Sequence, residues 1–184
     1  MVNIGGTMGI LFYRTTLVFA FTGLAFLFSN FFEIDRPLDI RANLPLEYTS
    51  FQEIEKELEC LALNIYFEAK GESFDGKLAV AQVTLNRKLH VDWPSNICDV
   101  VYQRTFRGRK VTCQFSWYCD GKSDTVVNQE QYYYSMVAAR EVLLDGYRNP
   151  DLEHAYFYHA YYVAPGWRME VLARIGAHIF YGYS

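Results

Sequence analysis

The chain has only four histidines and four cysteines among its 184 residues, and no two cysteines form a CxxC pair. A structural zinc site normally draws on such pairs, and His154 and His159 have none nearby, so a metal reading is disfavoured and no cofactor is indicated. Positive charge is also scarce. Seventeen Lys and Arg stand against 21 Asp and Glu, for a formal net charge of -4. This argues against a nucleic-acid binder, which usually carries a clustered basic face. The one basic cluster, Arg104 to Lys110, is short, contains Gly108 and reads as a solvated loop. Disorder is excluded as the overall class, because 51% hydrophobic residues with 17% aromatics supply ample material for a core.

Charge is nearly absent from the first 32 residues, which hold only Arg14. From Thr15 to Phe32 run 18 uncharged, mostly apolar residues, followed at once by Glu33 and Asp35. That length just crosses a hydrocarbon core. A positive charge before it and acids after it predict a cytoplasmic amino terminus (1–14), a transmembrane anchor (15–32) and an exported remainder. A cleaved secretory signal is the competing reading, but the end of the run offers no clear small-x-small site. The segment 33–50, with Pro37 and Pro45 and no sustained period, reads as a linker to a domain over 51–184. The expected location is therefore the membrane, with the domain on the extracytoplasmic side.

In an oxidising compartment, Cys60, Cys98, Cys113 and Cys119 are more readily two disulfides than four thiols. Three pairings are possible. Cys113 and Cys119 flank a short polar-aromatic turn and are expected to pair, leaving Cys60 with Cys98.

Ser50 followed by Glu53 is a capping box, and Ile54, Leu58, Leu61, Ala62 and Ile65 recur on one face, predicting a helix from Ser50 to Glu72 with Gly71 as its stop. Ser73 caps a second helix running through Leu78, Ala81, Val83 and Leu85 toward Leu89, and the two should pack as a hairpin. Asn128 with Gln131 caps a third, ending at Gly146. Val111 to Tyr118 and Ala155 to Val163 are rich in strand formers. The expectation is one α+β domain, mainly helical with a small strand-bearing lobe.

Chemistry concentrates at Ile65-Tyr66-Phe67-Glu68-Ala69-Lys70-Gly71-Glu72. A glutamate among large apolar residues at a helix end has its charged form disfavoured, so it can hold a proton near neutrality as a general acid requires. Along the aromatic run Tyr156 to Tyr162, alternate residues face opposite ways: Phe157, His159 and Tyr161 on one side, Tyr156, Tyr158 and Tyr162 on the other. One face belongs to a core, while the other suits sugar rings, whose C–H faces stack on aromatics as Tyr, His and Gln bond their hydroxyl and acetamido groups. Gln114, Ser116, Trp117 and Trp167 are residues of the same kind.

Several ordered motifs carry a resemblance. Glu68-Ala69-Lys70-Gly71-Glu72, Gly76-Lys77-Leu78-Ala79-Val80-Ala81-Gln82-Val83 and Leu85-Asn86-Arg87 resemble the opening of the SleB/CwlJ-type cell-wall hydrolase family. Trp93-Pro94, Ile97-Cys98, Val100-Val101-Tyr102-Gln103, Cys113-Gln114-Phe115-Ser116-Trp117 and Cys119-Asp120-Gly121 are similar to its middle. Tyr158-His159-Ala160-Tyr161-Tyr162-Val163, Pro165, Trp167 and Ile175-Gly176-Ala177-His178-Ile179-Phe180-Tyr181 are similar to its end. Lys70 stands where the family commonly has arginine, and Tyr161 where an acid is frequent. The resemblance implies a lysozyme-like lytic transglycosylase fold, peptidoglycan glycan strands as the partner, and Glu68 as the catalytic acid.

Cleavage between N-acetylmuramic acid and N-acetylglucosamine needs a proton on the leaving oxygen and a stabilised oxocarbenium-like transition state. In a lytic transglycosylase, as the resemblance implies, one glutamate suffices, because it next assists the muramyl C6 hydroxyl in forming a 1,6-anhydro product. A hydrolytic muramidase would need a partner carboxylate, with Glu72, Asp75 and Asp120 available. Glu72, four positions after Glu68, is given a supporting role holding the motif loop or a substrate group, because Gly71 breaks the helical geometry between them. His159 is expected to orient Glu68 or bond an acetamido oxygen. A membrane-tethered, non-catalytic glycan-binding module is the alternative of another class.

Overall fold

A computed structural model describes residues 51–183. The expected cytoplasmic tail, anchor, linker and Ser50 cap lie outside the described residues. Among the described residues, no helix is long and apolar enough to cross a membrane.

Three long helices form the body. α1 (Phe51–Ala69) buries Ile54, Leu61, Ala62 and Ile65, the face its periodicity predicts. α2 (Phe74–Leu89) begins at Ser73, whose Oγ accepts from Gly76 N at 3.3 Å. α4 (Gln129–Leu143) begins at Asn128, whose Oδ1 accepts from Gln131 N at 3.0 Å. Both caps satisfy amide groups that a helix start otherwise leaves unpaired. α1 packs against both α2 and α4.

α2 is buried on two sides. Leu78, Val80, Ala81 and Leu85 join the core shared with α1 and α4, while Ala79 and Val83 meet Leu152, Ala155 and Phe180 of the strand-bearing lobe. That lobe is an antiparallel sheet of β3 (Phe157–Ala160), β4 (Glu170–Ile175) and β5 (His178–Gly182), with β5 in the middle. Phe157 pairs with Tyr181, and Ala160 with His178. The polar side of α2 fixes where this sheet begins. Gln82 exchanges two hydrogen bonds with the backbone of Asn149, and Asn86 Nδ2 donates to Leu152 O and Ala155 O.

Both disulfides form with the expected partners, Cys60 with Cys98 and Cys113 with Cys119. The first joins α1 to α3 (Ile97–Val101), a five-residue helix too short for its periodicity to show. Its start is held by a local cap and a distant residue together: Asn96 Oδ1 accepts from Asp99 N at 2.7 Å, and buried Glu57 accepts from Ile97 N at 2.6 Å and Cys98 N at 3.2 Å.

The basic cluster is not a loop. Arg104–Arg107 (β1) and Lys110–Cys113 (β2) pair antiparallel around Gly108, whose φ of 61° suits the tight turn. The side chains are solvated as expected, but Thr105, Phe106, Val111 and Thr112 supply β-forming residues that let the backbones pair. The strand expected over Val111 to Tyr118 therefore stops at Cys113, and Ser116–Cys119 forms a short 3-10 turn. β4 and β5 are strands beyond those that the local pattern predicts.

Candidate active site

Glu68 occupies the last turn of α1. The helix ends one residue later, and the carbonyls left without intrahelical donors there find one outside it. Lys77 of α2 donates from Nζ to Ala69 O at 2.6 Å and Lys70 O at 3.0 Å. An ammonium is favourable at this negative end of the helix dipole. Burial lowers the Lys77 pKa, while Glu72 opposes that shift.

The Glu68 carboxyl faces a cleft of about 270 Å³ lined by Arg87, Cys113, Gln114, Phe115, Ser116, Phe157, Tyr158 and Trp167. Tyr158 Oη donates to Glu68 Oε2 at 3.0 Å. Desolvation raises the Glu68 pKa above its ordinary value, against the weaker downward pull of the Tyr158 hydrogen bond and the Arg87 charge. Burial also raises Tyr158 well above the usual phenol range, with the Glu68 charge adding to it, so the hydroxyl remains a donor.

Arg87 lies behind this pair, 3% exposed at the end of α2. Its Nε donates to Tyr156 O at 2.7 Å, and its guanidinium stacks over Trp93 (4.6 Å) and Phe115 (5.1 Å). With the Gln114 amide turned to suit both groups, its oxygen accepts from Arg87 Nη1 at 3.1 Å and Nη2 at 3.3 Å. Burial lowers the Arg87 pKa to about 10, which leaves it charged at neutrality.

The structure thus brings Glu68, Gln114, Ser116, Tyr158 and Trp167 to one cleft. The other three predicted site residues are not among those that line it. Trp117 is core: it stacks on Phe67 at 4.6 Å, and Nε1 donates to Asn64 Oδ1 at 3.0 Å. His159 engages Ala160 O at 2.9 Å and the Tyr181 hydroxyl at 2.7 Å, and its ring lies 5.4 Å from that of Trp167, so it borders the cleft while Tyr158 is the residue that bonds Glu68. Glu72 grips the β4–β5 turn, where its Oε2 accepts from Ala177 N at 2.9 Å beside Gly176, whose φ of 57° favours glycine. Of the site residues missed from the sequence, Arg87, Phe115 and Phe157 were visible only as members of a motif or an aromatic run.

The Cell Wall Hydrolase family model matches residues 71–181, a span that opens three residues beyond Glu68. The chain is 26% identical over 145 residues to the spore cortex-lytic enzyme of Bacillus subtilis, covering 77% of this chain and 41% of that protein. The enzyme of the same name from Oceanobacillus iheyensis is 26% identical over 142 residues, covering 75% and 44% respectively. The chain therefore spans less than half the length of these relatives. Among solved structures, it is similar to the catalytic domain of the Bacillus cereus SleB protein, with a TM-score of 0.51 and 26% identity over 76% of this chain and 95% of that one. The catalytic domain of the germination-specific lytic transglycosylase SleB from Bacillus anthracis gives the same TM-score and identity, over 75% and 99%.

Proposed function

Because the chain belongs to the Cell Wall Hydrolase family, we propose that it cleaves peptidoglycan glycan strands between N-acetylmuramic acid and N-acetylglucosamine as a lytic transglycosylase. One observation carries this reading: among the described residues, Glu68 is the sole carboxylate lining the cleft, and desolvation favours its protonated form. Inverting and retaining glycoside hydrolysis each use two carboxylates. A single-acid mechanism that closes the ring internally fits what lines this cleft.

Protonated Glu68 gives its proton to the glycosidic oxygen as the C1–O bond breaks, leaving an oxocarbenium-like muramyl ring. The resulting carboxylate takes the proton of the C6 hydroxyl as that oxygen attacks C1. This forms the 1,6-anhydro ring and restores the acid. Tyr158 steadies the carboxylate, Gln114 and Ser116 bond sugar substituents, and Phe157 and Trp167 offer ring faces for stacking. Two disulfides and an extracellular substrate support assigning the domain to an oxidising compartment outside the cytoplasm.

Mass spectrometry of soluble products from purified peptidoglycan tests the reading. Anhydromuramyl ends are expected. Reducing muramic acid ends would replace it with hydrolysis, and the absence of any fragments with a non-catalytic binding role.

The pH profile tests the acid itself. A general acid must be protonated to act, so activity falls as pH rises through the raised Glu68 pKa. Tyr158→Phe removes a hydrogen bond that favours the charged form, so the pKa rises further and the falling limb of kcat/KM moves to higher pH. A limb that stays in place, or moves to lower pH, would exclude Glu68 as the titrating acid.

A further inference from the structure

The β1–β2 hairpin concentrates positive charge outside the cleft. Arg104, Arg107, Arg109 and Lys110 fall within seven residues, and no Asp or Glu occurs between Asp99 and Asp120, in a chain that is acidic as a whole. Every residue from Arg104 to Thr112 is exposed, including Phe106 at 68% and Val111 at 43%.

A two-stranded hairpin standing alone is marginal in water. This one is held at its base by the Cys113–Cys119 disulfide, by Gln114 N donating to Gln103 O at 2.9 Å, and by the Arg104 guanidinium 4.3 Å over Tyr118. Its outer part is thereby presented to solvent.

The register gives its faces different chemistry. Phe106 pairs with Val111 and Arg104 with Cys113, so Phe106 and Val111 share the face of Cys113, which lines the cleft. Val111 lies two residues, about 7 Å along the strand, beyond Cys113. That is comparable to one sugar unit. Arg107 and Lys110 pair on the opposite face, with Arg109 at the turn. A peptidoglycan strand has the matching character: sugar rings with apolar faces, and carboxylates on the peptides branching from its muramyl units.

We infer that this hairpin is a further glycan-binding subsite. Phe106 and Val111 stack a sugar ring just outside the cleft, and Arg107, Arg109 and Lys110 pair with stem-peptide carboxylates. The inference rests on the peptidoglycan reading above.

The test is co-sedimentation of the full chain carrying Glu68→Gln with peptidoglycan sacculi, native or with their carboxylates chemically amidated, while fragment release is read in the same samples. Added Arg107→Gln, Arg109→Gln and Lys110→Gln together should weaken binding to native sacculi about tenfold at low salt and leave binding to amidated sacculi unchanged. Phe106→Ala should weaken binding to both about fivefold. These side chains are exposed, so melting temperatures should stay at the parent value. Variants that bind both sacculi like the parent overturn the subsite alone. A loss by the triple variant confined to phosphatidylglycerol vesicles overturns it in favour of a membrane-facing role. Fragment release that continues in the Glu68→Gln parent is a failure of the acid assignment, whereas a parent that does not sediment rejects the peptidoglycan reading itself.

Discussion

Glu68→Gln is expected to lower glycan cleavage about a thousandfold while the protein still folds and binds peptidoglycan. Glutamine keeps the size of the side chain and can still accept from Tyr158, but it has no proton to give. General acids typically contribute between about a hundredfold and ten-thousandfold to rate, and no second carboxylate among the described residues lines the cleft to substitute. Residual activity within about tenfold of the parent, measured as fragment release, would remove Glu68 from the mechanism.

The same substitution has a stability signature of definite sign. The folded-state pKa of Glu68 is raised, so its contribution to stability is fully present below the unfolded carboxyl value of 4.5 and is lost as pH rises through the folded value. The charged form is the costly one, because desolvation dominates the shift. Glutamine has no charged form. Thermal melts should therefore show Glu68→Gln at least as stable as the parent at neutral pH, with the difference shrinking toward acid. A variant less stable at neutral pH would mean that the carboxylate holds the fold together rather than straining it.

The sequence was most legible where structure is set locally. The caps at Ser73 and Asn128 lie within three residues of the amides they bind, and the helices they start appear as predicted. It was least legible where a distant residue decides. α3 has a local cap, Asn96 Oδ1 accepting from Asp99 N at 2.7 Å, but Glu57, 40 positions away, binds its first amides, and five residues give too few turns for a period to register. β5 is recognisable as a central strand only once β3 and β4 flank it. The aromatic residues divided in the same way. Trp117 and Trp167 are alike in composition, but Asn64 and Phe67 draw the first into the core, while the second stays 41% exposed at the cleft. Glu68 was readable as a carboxylate in an apolar motif at a helix end, although the groups that share the cleft with it, Phe115, Phe157 and Tyr158 among them, come from distant parts of the chain. Tyr158, 90 positions on, was readable as a sugar-facing aromatic but not as the donor to Glu68.

Arg87 combines these two kinds of information, and its replacement should give the largest loss of stability. Arg87→Met is expected to cost about 3 kcal/mol, because Tyr156 O and the Gln114 amide lose their charged donor inside the protein. The stacking over Trp93 and Phe115 is lost as well. The effect should reach the chemistry. The Arg87 charge pulls the Glu68 pKa down, so its removal lets that pKa rise and moves the falling limb of the pH profile to higher pH. Arg87→Lys separates the two roles. Lysine keeps a charge, but it lacks the planar fork that serves Tyr156 and Gln114 together and stacks between two rings. The limb should therefore stay near the parent position while much of the stability loss remains. Urea unfolding and kcat/KM against pH, run on both variants, test this directly. An Arg87→Met protein as stable as the parent would show that the buried guanidinium is not the anchor between α2 and the strand bearing Tyr158.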